Sequence, residues 1–223
     1  MRDKKGVILF VKYPNLGEVK TRLASKTNKN FALEFYKIVA EYVFNEIGKL
    51  GPGIDILLFY SGKDSLSKIK SWVKKDFLFF PQNGEDLGER MSDAFFHAFK
   101  NNYEMVLILG SDIPEISVDT IGSAFSYLSE SNVVISPSED GGYSLLGTDK
   151  YYPLLYQNIE WSSDSVFEKT KEVIESNNLH LKVLPVLNDV DTLPDLKKWL
   201  MNSKNSKLTG KIKLLSEKEN IPL

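Results

Sequence analysis

Short apolar runs alternate with longer segments of helical spacing along the whole chain. Residues 7–11, 54–60, 77–80, 105–109, 133–135 and 181–187 are rich in Ile, Val, Leu and Phe, with few polar interruptions. Runs this short and continuous read as strands buried on both faces. Between them, residues 31–50 place Phe31, Phe35, Ile38, Tyr42 and Ile47 along one helical face. Residues 64–75, 87–100, 117–131 and 163–177 repeat that spacing. Repeated βα units predict an α/β fold: a single-domain three-layer sandwich with a mostly parallel central sheet between helices. Residues 1–202 are assigned to that domain. Residues 203–223, rich in Lys, Ser and Asn with a weak apolar patch at 212–215, are read as a tail or peripheral helix.

The polar punctuation falls at the carboxyl ends of the strands, where open α/β sheets bind their ligands. KYPNLGEVKTR follows the first strand, SGKD the second, PQNGEDLGER the third, GSDIPEIS the fourth, SPSEDGGYS the fifth and NDVDTLPD the last. One rim therefore collects Lys20, Arg22, Asp86, Arg90, Asp112, Glu139, Asp140, Asp189 and Asp191.

Composition narrows the classes of partner. The chain has 223 residues, 42% hydrophobic and 26% charged, with a net charge of -2. It has no global cationic field, which argues against nucleic acid or an anionic membrane as the main partner. There is no Cys, so disulfides, thiolate nucleophiles and cysteine metal sites are excluded. The first apolar run is too short for a signal peptide, and none approaches the ~18 residues that span a bilayer. A soluble cytoplasmic protein is expected.

Four stretches could carry chemistry. In VKYPNLGEVKTRLA, a loop with Gly17 leads to a helix expected to start near residues 18–20, and Lys20 and Arg22 stand where its amide groups would face a phosphate. The alternative is a solvated basic pair. Neither a G-x-G-x-x-G nor a G-x-x-x-x-G-K-[ST] fingerprint is present. Asp112 lies just beyond the fourth buried strand, where a carboxylate needs a partner, either a divalent cation or local amides. Ser117 is the better cap for the following helix. Thr192 and Asp195 form a capping box, leaving Asp189 and Asp191 to share one face of an extended segment. Oxygen donors so placed suit Mg²⁺ or Mn²⁺. In SEDGGYSLLG, Glu139 and Asp140 flank Gly141 and Gly142, as a ligand loop or as a tight turn into a strand beginning at Tyr143. Ser165 and Glu168 fit a second capping box, with Trp161 ahead of it as a plug or as part of an acceptor pocket. His97, among Phe95, Phe96 and Phe99, reads as a packing residue, so a Ser-His-Asp relay has little support.

The ordered set K-x-P-x-x-G-x-V-K-T-R-L, Q-x-G-x-D-L-G-E-R-M, G-S-D-x-P, S-E-D-G-G-Y-x-L-L-G, W-S and D-V-D-T resembles the DUF2064 family, of glycosyltransferase A-type, nucleotide-diphospho-sugar transferase fold. That family is similar to molybdenum-cofactor and phospholactate guanylyltransferases. The resemblance implies that Lys20 and Arg22 contact nucleotide phosphates, with Lys12, Gly17, Gln82, Gly88 and Arg90 nearby. It implies Asp112 and Asp191 as ligands of Mg²⁺ or Mn²⁺, and Glu139, Asp140, Gly141, Gly142 and Trp161 near an acceptor. Ile113 stands where Cys is common, and Ser163 where Thr is common; neither change removes a charged ligand. The function implied is a divalent-metal-dependent transferase. Its catalytic residues would be Lys20, Arg22, Asp112 and Asp140, and nucleotidyl transfer from a nucleoside triphosphate to a small phosphorylated acceptor would rely on Lys20 and Arg22 to clamp the outer phosphates. Glycosyl transfer from a nucleotide sugar, with Asp140 or Glu139 as base, is the alternative. A non-catalytic nucleotide-binding module is a third.

Overall fold

The computed structural model describes residues 4–161 and 163–223. Its sheet has seven strands in the order β3-β2-β1-β4-β6-β5-β7. These are β1 (Lys5–Val11), β2 (Ile54–Tyr60), β3 (Leu78–Pro81), β4 (Met105–Gly110), β5 (Val133–Pro137), β6 (Tyr143–Thr148) and β7 (Leu181–Val183). All neighbours pair in parallel except β6, which is antiparallel to both β4 and β5. The helices are α1 (Thr21–Ala24), α2 (Lys29–Ile47), α3 (Leu66–Val73), α4 (Leu87–Lys100), α5 (Val118–Leu128), α6 (Val166–Ser176), α7 (Leu193–Asn202) and α8 (Ser206–Lys218), with a 3-10 turn at Pro153–Tyr156.

The alternation of side chains along β1 and β4 divides the core in two. Val7, Leu9 and Val11, with Leu107 and Leu109, join the cluster of Tyr36, Val43 and Phe44 from α2, Ile69 from α3 and Ile121 from α5. Ile8, with Val106 and Ile108, joins Met91 and Phe95 from α4 and Ile174 from α6. Central strands with both faces covered are continuous apolar runs for this reason. A third cluster places Leu208, Ile212 and Leu215 of α8 with Phe31 and Phe35 of α2 and Trp199 of α7.

Three local expectations are corrected. The run 181–187 is a strand only as far as Val183. Pro185 has no amide to donate, and the chain continues beside β5 through Leu184 N to Ile135 O at 2.7 Å and Leu187 N to Pro137 O at 3.0 Å. The helix after β1 starts at Thr21 and lasts one turn. Ser165 precedes α6 without a side-chain cap, its hydroxyl lying 2.9 Å from that of Ser163, so the proposed box with Glu168 does not form. The Thr192–Asp195 box of α7 and the Ser117 cap of α5 are both present.

Inserting β6 antiparallel between β4 and β5 has a direct consequence for the rim. The turn joining β5 to β6, closed by Ser138 N to Gly142 O at 3.1 Å, lies at the carboxyl end of β5, level with the exits of β1 and β4.

Candidate functional site

The site is built where the segments after β1 and β4 meet the segment after β7. Lys20 precedes α1 at φ 45, ψ 47, a left-handed conformation that costs a residue with a Cβ about 1–2 kcal/mol. From that backbone its ammonium reaches Asp112 Oδ2 at 2.7 Å, Asp191 Oδ1 at 2.5 Å and Asp189 Oδ2 at 3.5 Å. The Lys20 side chain is 4% exposed, and the three carboxylates are between 30% and 38% exposed. Val190 turns inward against Leu196 and Trp199, so Asp189 and Asp191 emerge on the same side, as an extended segment requires. Asp195, through its carboxylate in the α7 capping box, also accepts from Asp191 N at 3.3 Å and steadies that segment.

Burial works against the Lys20 charge, but Asp112, Asp191 and Asp189 together outweigh it and hold the ammonium well above the ordinary lysine range. Asp189 is pushed up to about 7, first by burial and then by the charge of Asp112, with Lys20 pulling the other way. Carboxylate therefore exceeds cation in this group. Oxygen atoms of Asp112, Asp189 and Asp191 lie within 4.8 Å of one another. Three hard donors with unbalanced negative charge fit a divalent cation such as Mg²⁺ or Mn²⁺.

Two cavities share this group. One, of about 700 Å³, runs along the exits of β1, β2 and β3 and is lined by Lys12, Lys20, Lys63, Gln82 and Arg90 among others. The other, of about 640 Å³, lies toward α4, β6 and α6 and is lined by Arg22, Asp140, Gly142, Tyr143 and Trp161 among others. Asp112 and Asp191 line both.

Most of the residues singled out from the sequence reach this region, in altered company. Arg90 lines the basic cleft with its guanidinium held by the carbonyls of Gly84 at 2.9 Å and Glu85 at 3.0 Å, and among the described residues no carboxylate pairs with it. Gln82 spends its amide on Phe59 O at 2.9 Å. Lys12 donates to Glu18 O at 2.7 Å. Arg22 is 70% exposed and 3.7 Å from Asp191, so both cations after β1 stand beside the carboxylates. Gly17 lies outside both cavity linings. At Gly88 any Cβ would meet Trp161 Nε1 at 2.0 Å, so the glycine seats the indole on α4. Glu139 faces a third cleft and pairs with Lys198. Gly141, at φ 87, lets the Asp164 carbonyl come within 1.9 Å of where a Cβ would be, and so brings the segment before α6 against the turn. Ser162, part of the W-S motif, lies outside the described residues.

Tyr36 went unrecognised from sequence. Its buried hydroxyl donates to Lys12 O at 2.8 Å, accepts from Lys12 N at 3.2 Å and lies 3.0 Å from Ser111 Oγ. Burial pushes its phenol up to about 12. The bridge ties the β1 exit to the β4 exit. Only a helix register assigning Tyr36 to the strand ends would have revealed it.

The comparisons with known proteins follow this geometry. No curated protein matches the chain. Its structure is similar to that of a candidate nucleotide-diphospho-sugar transferase from Desulfovibrio desulfuricans G20, at 31% identity and TM-score 0.90, covering 97% of this chain and 96% of that one. It shares the fold of 4-diphosphocytidyl-2C-methyl-D-erythritol synthase from Anaerococcus prevotii DSM 20548, at 15% identity and TM-score 0.56, covering 87% of this chain and 93% of that one. It also shares the fold of CMP:2-keto-3-deoxy-manno-octonic acid synthetase solved with CTP, at 9% identity and TM-score 0.55, covering 96% and 99%. The fold is that of the nucleotide-diphospho-sugar transferases. The family described as "uncharacterized protein conserved in bacteria (DUF2064)" matches residues 49–163. The chain belongs to the DUF2064 family.

Proposed function

We propose that this protein is a divalent-metal-dependent nucleotidyltransferase. It takes a nucleoside triphosphate in the basic cleft and a second substrate in the neighbouring cavity. The observation that carries the reading is that Asp112 and Asp191 line both cavities, so a group held by one substrate can be handed to the other at that junction. With Lys20 held by the aspartates, Lys12, Lys63 and Arg90 spread positive charge along the cleft, which supports an extended polyphosphate more than a monophosphate. Asp112, Asp189 and Asp191 would hold Mg²⁺ or Mn²⁺, which when bound neutralises phosphate charge and acts as a Lewis acid on phosphoryl oxygen. Among the described residues no helix is long and apolar enough to cross a membrane.

A second reading, glycosyl transfer from a nucleotide sugar, is favoured by the 31% identity to the Desulfovibrio protein named for that class. One assay separates the two. Nucleoside triphosphates with Mg²⁺ and a panel of small acceptors are scored for pyrophosphate, beside nucleotide sugars scored for hydrolysis. Pyrophosphate from a triphosphate supports the first reading. Nucleotide-sugar turnover with no pyrophosphate replaces it by the second. Metal-dependent binding without turnover of either leaves a nucleotide-binding module.

A further inference from the structure

The two cavities that meet at Asp112 and Asp191 differ sharply in charge. The basic cleft carries Lys12, Lys20, Lys63 and Arg90 against Glu18 and Glu85, besides the shared aspartates. The other cavity carries Asp112, Asp140, Asp164, Asp189 and Asp191, and Arg22 is its one cation among the described residues. One wall is carbon, from Leu87, Met91, Ile108, Leu146, Val166 and Trp161, and Ser138, Ser144 and Ser163 add neutral hydroxyl groups to the lining. Granting a divalent cation to Asp112, Asp189 and Asp191 leaves Asp140 and Asp164, which form no ion pair among the described residues; Asp140 Oδ1 accepts from Ser138 Oγ and from Gly142 N at 3.1 Å, which leaves its other oxygen to a ligand. A phosphate entering here would meet those carboxylates with Arg22 alone to balance them. The helix starts beside the cavity offer little relief. Asp86 already caps α4 through Glu89 N at 2.8 Å, and Phe167 N at the start of α6 donates to Gly141 O at 2.9 Å.

Carboxylates that accept hydrogen bonds beside an aromatic and aliphatic wall match a different chemistry. Vicinal hydroxyls donate in pairs to carboxylate oxygens, and a ring of C–H groups packs on indole and thioether. Trp161 is held for this by its seat on Gly88. We propose that the second substrate is an uncharged, sugar-like polyol, bound through its hydroxyls by Asp140 and Asp164 and through its C–H face by Trp161 and Met91. This rests on the nucleotidyl-transfer reading above, and it replaces the phosphorylated acceptor expected from the sequence. In the step it implies, an acceptor hydroxyl oxygen bonds to the α-phosphorus. The bond from that phosphorus to the bridging oxygen breaks, pyrophosphate leaves with the electron pair, and the hydroxyl proton passes to Asp140.

The test needs no turnover. Saturation-transfer NMR of the full chain with Mg²⁺ is run on glucose, galactose, ribose and myo-inositol, beside glucose 6-phosphate and ribose 5-phosphate. At least one neutral polyol binds, and its affinity falls about tenfold or more in Trp161→Ala and in the double variant Asp140→Asn/Asp164→Asn. The two phosphates show no transfer with wild type and gain it in the double variant. The aspartates are exposed, so the double variant keeps the fold, which circular dichroism checks. Phosphates that bind wild type as well as their parent sugars overturn the proposal, and so does silence from every neutral polyol. A failure of the nucleotide reading shows separately: no triphosphate with Mg²⁺ raises the melting temperature.

Discussion

The Lys20 ammonium donates to Asp112 Oδ2 at 2.7 Å, across 92 residues of sequence, and so joins the exits of two adjacent parallel strands. The same ammonium touches Asp191 at 2.5 Å, which makes it the internal counter-charge of the aspartate group.

Removing that counter-charge destabilises the fold in a way a cation repairs. Lys20→Ala leaves three adjacent carboxylates repelling one another; their partial exposure screens the cost to about 1–3 kcal/mol, below that of a fully buried broken pair. Thermal melts in EDTA show the loss. Adding Mg²⁺ or Mn²⁺ raises the melting temperature of the variant more than that of wild type. Equal shifts in both proteins would remove the trio as a cation site.

Asp112→Asn abolishes divalent-dependent nucleotide binding while unfolding stability changes by no more than about 1 kcal/mol. Lys20 keeps Asp191 as its partner, so the core is not left with an unpaired ammonium. Calorimetric titration of a triphosphate with and without Mg²⁺ reads the first effect, and urea denaturation reads the second. Unchanged metal dependence would move the metal elsewhere.

Tyr36→Phe removes one hydroxyl from between the Lys12 backbone and Ser111. The buried groups left behind cost about 1–3 kcal/mol. Nucleotide affinity falls with stability, because the β1 exit loop loses its tie to the β4 exit. A loss of only a few tenths of a kcal/mol in urea denaturation would show that water replaces the hydroxyl freely.

Gly88→Ala pushes a methyl into the indole of Trp161, whose Nε1 lies 2.0 Å from the position the Cβ would take. Overpacking of this kind costs about 1–3 kcal/mol. Trp161→Ala, introduced second, recovers most of it, and a double-mutant cycle measures the coupling. Additive effects would mean that α4 and the Trp161 segment do not press on each other.

Periodicity determined the β/α alternation and most of its members, because a strand covered on both faces must be apolar throughout and a surface helix must carry a stripe. It also assigned the polar loops to one rim, since in repeated βα units the connections after the strands gather on one edge. Asp189 and Asp191 were legible as a same-side pair because the side-chain period of an extended segment is two. What the chain could not state by itself was which rim residues meet. Lys20 reaches three aspartates only because β1 and β4 are neighbours and the segment after β7 returns to their exits, contacts set by strand order and not by spacing. The antiparallel insertion of β6 was equally invisible, since an apolar run reads the same in either direction, and it is what makes the Asp140 segment a tight turn between neighbouring strands. Gly88 shows the limit most plainly. The resemblance implied only that Gly88 lies near the nucleotide, and it takes the packed fold to show the indole of Trp161 seated against it.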